Sequence, residues 1–418
     1  MTEQAQEQAQ EQRPVVVISG IGPTAQMYGE LDKTFDVAVF DQQAAQQIAG
    51  IVGKGVLCPR MGAGTPLVDR ARNDSALIIG EIVSELPHLH YSLDGKEPKI
   101  LSDMSTWLPG LTALHVPELL LSLRTLDAFI KEREVVAVIV HEDVTPRFRA
   151  LALWARAHDI PSIHVPHGNC FAQVRPDIHD TSVCDWILAA SPYMRDWYAA
   201  RGFVKRRIKV VGFPTWDRWL DITERIDQPH ARRALHLDLD KPTLQFCTQW
   251  AQRTNFVDDH TAPEAMVHFA LGAVQRLGWQ MIWTLHPGDG KDHEQACANL
   301  AAAYRVPALV TRGHLALAIR AADVVLSGPS NVLVEVGFCD RPPVVYPLRG
   351  YGFDGEPPYL AGMSVDETVA TLERARERSD WEQARAGFVR RYAYRNDGKA
   401  SARAARQVEK ILAQAKAS

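Results

Sequence analysis

The chain has 418 residues, which is enough for two or three domains that each bury a hydrophobic core. Hydrophobic residues make up 46% of it and charged residues 23%, a composition typical of globular proteins. The formal net charge of −4 argues against broad binding to nucleic acid, and the lack of a run of about 18 apolar residues predicts no transmembrane helix.

Residues 1–13 are polar and rich in Gln and Glu, so we predict a disordered tail there and no signal peptide. The six cysteines are scattered without CxxC spacing. This pattern predicts buried thiols in a reducing compartment and argues against a zinc site or a disulfide framework.

In the first half of the chain, short runs of β-branched residues alternate with helical stretches. The predicted strands span residues 14–19, 37–40, 134–140, 162–165, 186–189 and 208–211. Their apolar residues are continuous rather than alternating, which is typical of strands covered on both faces. Helices are predicted at 149–159 and 193–201, and residues 115–130 predict a further amphipathic helix.

The second half of the chain repeats this pattern. Strands are predicted at 243–247, 281–285, 308–310, 323–326 and 343–346, and helices at 263–277, 293–304, 315–321, 332–338 and 400–417. Two successive βαβ series imply two α/β domains, each with a doubly wound parallel sheet. We place an N-terminal domain at 14–225, a C-terminal domain at 226–395 and a terminal helix at 396–418, because residues 214–240 contain turn and charged residues but no strand.

Ligands of an open parallel sheet bind at the carboxyl ends of its strands, so the residues after each strand are the candidate site. Strand 134–140 ends in His141, Glu142 and Asp143. A carboxylate there is suited to accept the proton of an acceptor hydroxyl as that oxygen attacks a sugar carbon, and Glu142 and Asp143 share this candidacy. The alternative is an acidic turn, or an N-cap of the next helix.

A second histidine follows the next strand, in the sequence Pro166-His167-Gly168. Gly168 permits a close approach of the backbone to a ligand. His167 is therefore a candidate to contact a phosphate or an acceptor hydroxyl. The alternative is a turn histidine that is hydrogen-bonded to the backbone.

In the second domain, Thr248 and Gln249 follow strand 243–247, and His286 follows strand 281–285. The side chains of Thr248 and Gln249 are suited to bind phosphate oxygens or an acceptor sugar. His286, as a cation, would stabilise a departing nucleotide phosphate. The alternative for His286 is a strand-end histidine whose hydrogen bonds are satisfied within the protein.

Ser330 and Asn331 stand at the start of the predicted helix 332–338. Either residue is a suitable N-cap, and the helix start offers backbone N–H groups and the positive end of its dipole to a nucleotide phosphate. Within this helix, Glu335 stands among apolar residues, where a carboxylate needs a partner. A ribose diol would supply one, and an arginine pair or an exposed position are the alternatives.

Several common motifs are missing from the sequence. There is no P-loop, no GxGxxG after the first strand and no GxSxG elbow. No Asp-x-Asp motif ends a strand, so we expect no metal and no cofactor. The helix dipole, His286 and nearby hydroxyls would then stabilise the negative charge of the leaving phosphate.

Several motifs in a fixed order give the chain a family resemblance over roughly residues 135–405. They are Pro166-His167-Gly168, Val211-Gly212-Phe213-Pro214 with Asp217, Leu285-His286-Pro287, Gly328-Pro329-Ser330-Asn331 with Glu335 and Pro342, and Asn396-Asp397-Gly398-Lys399-Ala400. With them the chain resembles the GT-B glycosyltransferases of bacterial surface polysaccharide synthesis. That group includes CDP-glycerol glycerophosphotransferases, capsule Kdo transferases and bacterial sialyltransferases.

The resemblance implies two Rossmann-like doubly wound parallel-sheet domains that face each other across a cleft. It also implies a nucleotide-activated sugar, CMP- or UDP-linked, as the donor, and a glycan or lipid-linked acceptor. By this resemblance His286 binds the donor phosphate together with Ser330 and Asn331, and His167 serves the acceptor side with Glu142 or Asp143. Glu335 resembles the ribose-binding glutamate of enzymes that act on UDP-sugars.

We therefore predict an inverting, metal-independent glycosyltransferase of the cytoplasm, with attachment to the inner face of the membrane left open. One alternative is an enzyme like UDP-N-acetylglucosamine 2-epimerase, which needs no acceptor. The other is a non-catalytic protein that binds a nucleotide or a glycan without turning over a sugar donor.

Overall fold

The computed structural model describes residues 13–59, 65–85, 116–168, 182–248, 261–286, 289, 292–328, 330–346 and 359–417. These residues form two compact units. The first unit lies within Met1–His164, Val183–Asp185 and Gln414–Ser418, and the second within Val165–Ser182 and Trp186–Ala413. Gln249 and nearly all of the predicted tail lie outside the described residues, and the predicted domain ranges stay predictions.

The first sheet contains six strands in the order β2-β1-β3-β4-β5-β6. The strands are β1 (Val15–Ile18), β2 (Asp36–Val39), β3 (Val135–Val140), β4 (Ser162–His164), β5 (Trp186–Ala189) and β6 (Ile208–Val210). The pairs whose register is resolved run parallel. Every residue of β1 and the last four of β3 are buried, as the continuous apolar runs predict.

Helices follow most of these strands, and local sequence explains where they start and stop. They are α1 (Pro23–Leu31), α2 (Gln42–Val52), α3 (Thr65–Glu85), α4 (Val116–Glu132), α5 (Pro146–Ala157) and α6 (Pro192–Ala200). Asp41 caps α2 by accepting the backbone N–H of Ala44. The same helix ends at Gly53, whose φ of 68° lies in the left-handed region that favours glycine.

The second sheet also contains six strands, in the order β12-β11-β10-β7-β8-β9. They are β7 (Thr243–Cys247), β8 (Gln280–Leu285), β9 (Ala308–Arg312), β10 (Val324–Ser327), β11 (Pro343–Val345) and β12 (Tyr359–Leu360). All of the pairs in this sheet are parallel. The strands β7, β8 and β10 are buried along their whole length. Two parallel sheets of this kind confirm the predicted α/β fold with two Rossmann-like domains.

The remaining helices are described in chain order from the second half of the protein. They are α7 (Asp217–Arg225), α8 (Gln228–Ala234), α9 (Thr261–Leu277), α10 (Asp292–Ala303), α11 (Leu315–Ala321), α12 (Val332–Phe338), α13 (Val365–Glu377), α14 (Ser379–Ala393) and α15 (Ala400–Ala417). No helix in the described parts of the chain combines the length and apolar character needed to cross a membrane.

Several details differ from the sequence prediction. The short strand β12 was not predicted, and the helices α7 and α8 occupy the strand-free stretch 214–240. The strand β9 continues to Arg312. The strand β10 begins one residue after Asp323, whose carboxylate accepts the Thr243 N–H at 2.7 Å and pairs with Arg232 at 2.6 Å. Those bonds tie the amino ends of β7 and β10 together.

The first turn of α15 is capped by a residue from outside the helix. The carboxylate of Asp217 accepts the backbone N–H groups of Ala400 at 2.7 Å and Ser401 at 2.8 Å. One turn on, Arg403 donates to the backbone carbonyl of Val211 at 2.7 Å. A helix cannot pair its own first N–H groups, so Asp217 satisfies two of them. Two of the motifs behind the family resemblance therefore serve the fold.

Replacing Asp217 by alanine removes this external cap. We expect Asp217→Ala to lower the free energy of unfolding by about 1–2 kcal/mol. Guanidinium denaturation followed by circular dichroism measures the loss. Asp196 pairs with Arg195 on the surface, and the control Asp196→Ala should cost less than about 1 kcal/mol. Equal losses in the two variants would contradict a special role for Asp217.

Candidate functional site

The strand order of the second sheet identifies one place for a ligand. The chain passes from β7 to β8 and β9 on one side, then returns to β10 on the other side of β7. This is the order of the Rossmann nucleotide-binding sheet, in which ligands bind at the carboxyl edge where the order reverses. Thr248 follows β7 and Ser330 follows β10, so these two residues flank the point of reversal.

Thr248 and His286 are brought together by an acidic residue that the sequence analysis missed. The Thr248 hydroxyl donates to Asp289 Oδ2 at 2.6 Å. The backbone N–H of His286 lies 2.7 Å from Thr248 Oγ1 and 2.9 Å from Asp289 Oδ2. Arg312, the last residue of β9, donates to the Asp289 carbonyl at 2.8 Å. The ends of three adjacent strands are thus fixed to one another by hydrogen bonds.

His286 is half-buried beside this cluster, and burial lowers the pKa of its imidazole while the Asp289 carboxylate opposes the shift. The neutral form is therefore favoured more than in a free histidine. A phosphate close to the ring would favour the cation again, because opposite charges stabilise each other. The position of His286 is suited to respond to an anionic ligand.

Ser330 and Asn331 make different contacts at the start of α12. Ser330 Oγ accepts the N–H of Val332 at 3.4 Å, whereas the Asn331 side chain makes no capping bond to α12. Asn331 instead donates to the backbone carbonyl of His167 at 3.3 Å. Asn331 occupies the N-cap position without a side-chain cap bond, so neither residue caps α12 in the predicted way. The helix α12 has only seven residues, so its dipole is small.

The predicted phosphate residues lie at the same sheet edge but do not all touch. Since β7 lies between β8 and β10, the ends of β8 and β10 are two strand spacings apart, roughly 10 Å.

Glu335 faces an indole rather than an arginine. Trp216 Nε1 donates to Glu335 Oε1 at 3.0 Å, and Oε2 is buried with no hydrogen-bond partner among the described residues. Burial raises the pKa of this carboxyl to about 7, against the opposing effects of the Trp216 bond and the Arg218 charge. Trp216 thus already donates a hydrogen bond to one of the two carboxylate oxygens that would accept hydrogen bonds from a ribose diol. The ribose role of Glu335 stays a prediction.

The two carboxylates after β3 lie in different surroundings. Asp143 is 3% exposed and accepts the Val183 N–H at 2.8 Å, with His164 Nδ1 3.7 Å away. Burial, followed by the Asp143 charge, raises the pKa of the nearby Cys184 thiol. Glu142 is more exposed and accepts the Thr145 hydroxyl at 2.8 Å. Glu142 is thus the more accessible of the two predicted bases, and Asp143 is held by the fold.

His167 is exposed at the end of the segment that follows β4, and its carbonyl is the partner of Asn331. Its side chain is accessible to a ligand, as a role on the acceptor side requires. That role stays a prediction.

The architecture is that of the GT-B fold, which confirms the fold class predicted from the sequence. No family model and no curated protein sequence matches the chain. The structure of UDP-GlcNAc 2-epimerase from Neisseria meningitidis bound to UDP-GlcNAc matches with a TM-score of 0.57 and 12% identity, over 96% of this chain and 100% of that chain.

Two further solved structures show the same likeness. The UDP-GlcNAc 2-epimerase of Methanocaldococcus jannaschii, in complex with UDP-GlcNAc and UDP, matches with a TM-score of 0.56 and 14% identity, over 95% of this chain and 99% of that chain. The wall teichoic acid polymerase TagF matches with a TM-score of 0.53 and 11% identity, over 97% of this chain and 90% of that chain. At these identities the likeness establishes the fold.

The different surroundings of Asp143 and Glu142 predict that alanine variants of the two residues differ in stability. Asp143→Ala leaves the partly buried Val183 N–H without its acceptor, so we expect the free energy of unfolding to fall by about 1–3 kcal/mol. Glu142→Ala changes a more exposed residue and should cost about 0.5 kcal/mol or less. Urea denaturation of both variants measures the difference, and a larger loss in Glu142→Ala would show the assignment to be wrong.

The raised pKa of Glu335 gives stability a pH dependence of known sign. The unfolded chain releases this proton near the ordinary pKa of 4.5 and the folded chain near 7, so stability falls as the pH rises from about 4.5 to about 7. Glu335→Gln cannot titrate and should show a flatter profile over that range. Thermal melts at several pH values test this, and identical profiles would mean that the Glu335 pKa is not raised.

Proposed function

We propose that this chain is a glycosyltransferase that moves a sugar from a nucleotide-activated donor, CMP- or UDP-linked, to a cell-surface glycan acceptor. The observation that carries this proposal is the polar cluster at the order reversal of the second sheet. There Thr248, His286 and Ser330 end three adjacent buried strands at the edge where Rossmann-like sheets bind nucleotides.

On the donor side, hydroxyl and imidazole groups would bind the phosphates. Thr248 and Ser330 supply hydroxyls, and Asn331 an amide, beside the reversal point. Gln249 follows Thr248 in the chain and is proposed with it. His286 gains a proton more readily beside a phosphate, and the resulting cation would offset charge on the leaving group. In the epimerase structures above, the bound ligands are UDP-GlcNAc and UDP, which supports a nucleotide as the ligand class.

On the acceptor side, a base after β3 would take the proton of the acceptor hydroxyl. The hydroxyl oxygen attacks the anomeric carbon as the bond from that carbon to the phosphate breaks, and attack from the opposite face inverts the configuration. Glu142 is better placed than Asp143 for this step, because the carboxylate of Asp143 already accepts the Val183 N–H. His167 is proposed to hold an acceptor hydroxyl. We propose that no metal is needed, since His286 supplies the opposing charge.

The nucleotide site is tested by binding in the absence of any acceptor. We expect one of CMP, CDP, UDP and GDP to raise the melting temperature selectively, because a ligand at 100 times its Kd stabilises the folded state by about 2.7 kcal/mol. His286→Ala should weaken that ligand at least about tenfold, the value of one charge-assisted hydrogen bond. The control is His293→Ala, an exposed histidine on α10 that should bind like the wild type.

The reaction class is tested by product analysis with the selected donor. A transferase releases the free nucleotide in proportion to added acceptor, for which a panel of p-nitrophenyl glycosides serves as probe. Conversion of the donor sugar to its epimer without acceptor would replace this proposal by the epimerase alternative. Binding of a nucleotide with no turnover of any sugar donor would indicate the non-catalytic alternative.

A further inference from the structure

The connection between α14 and α15 concentrates positive charge. Residues 390–406 contain six basic residues and one acidic residue, in a chain whose formal net charge is −4. Asp397 binds Arg403 through both carboxylate oxygens at 2.6 Å, so these two charges offset each other. The other five basic residues are exposed, namely Arg390, Arg391, Arg395, Lys399 and Arg406. This part of the surface therefore attracts anions, although the chain as a whole is negative.

The fold places this segment at the carboxyl edge of the first sheet. Arg403 donates to the carbonyl of Val211, the residue after β6. The ring of Tyr392, near the end of α14, lies 5.1 Å from that of Tyr193, which is in the helix that follows β5. His167 follows β4, which neighbours β5 in the sheet. The positive charge thus lies at the edge where the acceptor is proposed to bind.

Aromatic rings hold two of the exposed arginines. The guanidinium of Arg391 lies 5.6 Å from the ring centre of Tyr193 and 5.4 Å from that of Tyr392. The guanidinium of Arg395 lies 4.9 Å from the ring centre of Tyr394. A ring attracts a guanidinium through its quadrupole and leaves the net charge in place. These contacts therefore fix the position of two cations without neutralising them.

Three of the exposed cations have no carboxylate partner in the part of the chain that the structure describes. They are Arg390, Arg395 and Lys399. Arginine binds carboxylate, phosphate and sulfate groups through charge-assisted hydrogen bonds, and lysine attracts them as a point charge. These side chains are thus suited to bind an anionic ligand from solution.

The backbone of Tyr394 is strained. Its φ of 71° and ψ of −70°, with the N–H of Arg395 donating to the carbonyl of Ala393 at 2.9 Å, define a γ-turn of the rare form with positive φ. The Tyr394 ring centre also lies 5.6 Å from the guanidinium of Arg403. Strain of this kind persists where the surrounding structure requires it, and it is concentrated at ligand sites. Tyr394 is therefore a positioning residue for Arg395.

We give the name basic junction to a set of five residues, Arg390, Arg391, Tyr394, Arg395 and Lys399. We propose that the basic junction binds the acceptor and that this acceptor is an acidic glycan, with carboxylate, phosphate or sulfate groups. The term acceptor rests on the proposed function, whereas binding of an acidic glycan does not. The first N–H groups of α15 already donate to Asp217, so the side chains and not the helix start bind the ligand.

The surroundings of the basic junction favour a soluble polyanion over a lipid surface. Helices that lie on anionic membranes combine cations with apolar side chains that enter the bilayer. All of residues 390–406 belong to the described part of the chain, and none of their large hydrophobic side chains is exposed. The partner is therefore an acidic glycan rather than the headgroups of a bilayer.

Binding is measured first, with the full chain and without donor. Isothermal titration calorimetry in 0.1 M salt compares tetragalacturonate and a heparin tetrasaccharide with neutral maltotetraose. We expect at least one acidic tetrasaccharide to bind at least about tenfold more tightly than maltotetraose, and added salt to weaken it. The triple variant Arg390→Gln, Arg395→Gln, Lys399→Gln should lose at least about tenfold in that affinity. Equal affinity of the wild type for acidic and neutral tetrasaccharides would overturn the proposal.

The matched control removes the same charge elsewhere. The triple variant Lys205→Gln, Arg206→Gln, Arg207→Gln changes three exposed cations just before β6. Its affinity for the acidic tetrasaccharide should stay within about threefold of the wild type, because salt at 0.1 M screens exposed charges beyond about 10 Å. Equal losses in the two triple variants would indicate attraction by the whole surface and would overturn a site at the basic junction.

The role of Tyr394 is tested by two variants that keep its backbone strain. Tyr394→Phe retains the ring and should bind the acidic tetrasaccharide like the wild type. Tyr394→Leu no longer holds Arg395 and should weaken binding about threefold, the value of one exposed cation–π contact. Wild-type affinity in Tyr394→Leu would overturn the positioning role.

Turnover links the basic junction to the transfer reaction. With the donor selected by nucleotide binding, p-nitrophenyl β-glucuronide and p-nitrophenyl β-glucoside serve as acceptors that differ only in a carboxylate replacing a hydroxymethyl group. We expect the lower KM for the glucuronide, and the triple variant at the basic junction should raise that KM more than it lowers kcat. Equal KM values of the wild type for the two acceptors would overturn the assignment of the acceptor.

The remaining outcomes separate the two proposals. A wild type that binds acidic tetrasaccharides at the basic junction but transfers no sugar would contradict the proposed function and support the binding site. Transfer to neutral acceptors with no effect of the triple variant would overturn the site and leave the transferase intact. Binding of phosphatidylglycerol vesicles in preference to every acidic tetrasaccharide would overturn the choice of a glycan.

Discussion

Strand direction is the constraint on which the rest of the structure depends. In a sheet whose strands all run parallel, each strand ends at the same edge, so side chains that are far apart in sequence meet there. Both sheets of this protein are of that kind, and each reverses its strand order once. The reversal separates two neighbouring loops and leaves the backbone groups there open to a ligand. Most of the candidate catalytic and nucleotide-binding residues lie near those two points, among strands that are otherwise buried and apolar.

The residues that resemble the family motifs divide into two kinds. Asp217 caps the C-terminal helix, and Arg403 binds both carboxylate oxygens of Asp397 at 2.6 Å. These contacts stabilise the fold whatever ligand is bound. His286 and Ser330 lie instead at strand ends where hydrogen bonds fix the backbone and the side chains border the reversal point. A motif match alone does not separate the two kinds, whereas their hydrogen-bond partners do.

Most strands of both sheets were predictable because a buried parallel strand must be continuously apolar, and such runs are visible in one sequence. The strand β12 has only two residues, of which Leu360 is 54% exposed, so the sequence contains no apolar run that would predict it. The positions of the candidate site residues were predictable for the same reason as the strands. Once a strand is located, the residue after its last apolar position is at the ligand edge.

The partners of those residues were not predictable. Glu142 and Asp143 are adjacent and chemically alike, and only the fold decides which of them meets the Val183 N–H. The same holds for Glu335 and Trp216, which are 119 residues apart. Asp289 could have been found, since it lies four residues beyond the end of β8, but nothing in the sequence shows that its carboxylate meets Thr248. Long-range pairing depends on strand order, which a single sequence does not give.

Hydrogen–deuterium exchange with and without a saturating nucleotide tests the location of the ligand most directly. If the nucleotide binds at the reversal of the second sheet, backbone amides after β8 and β10, around His286 and Ser330, become protected. Amides at the opposite edge of that sheet, around Thr243 and Gln280, should exchange as before. Protection at that opposite edge, or nowhere in the second sheet, would contradict a nucleotide site built from the carboxyl ends of its strands.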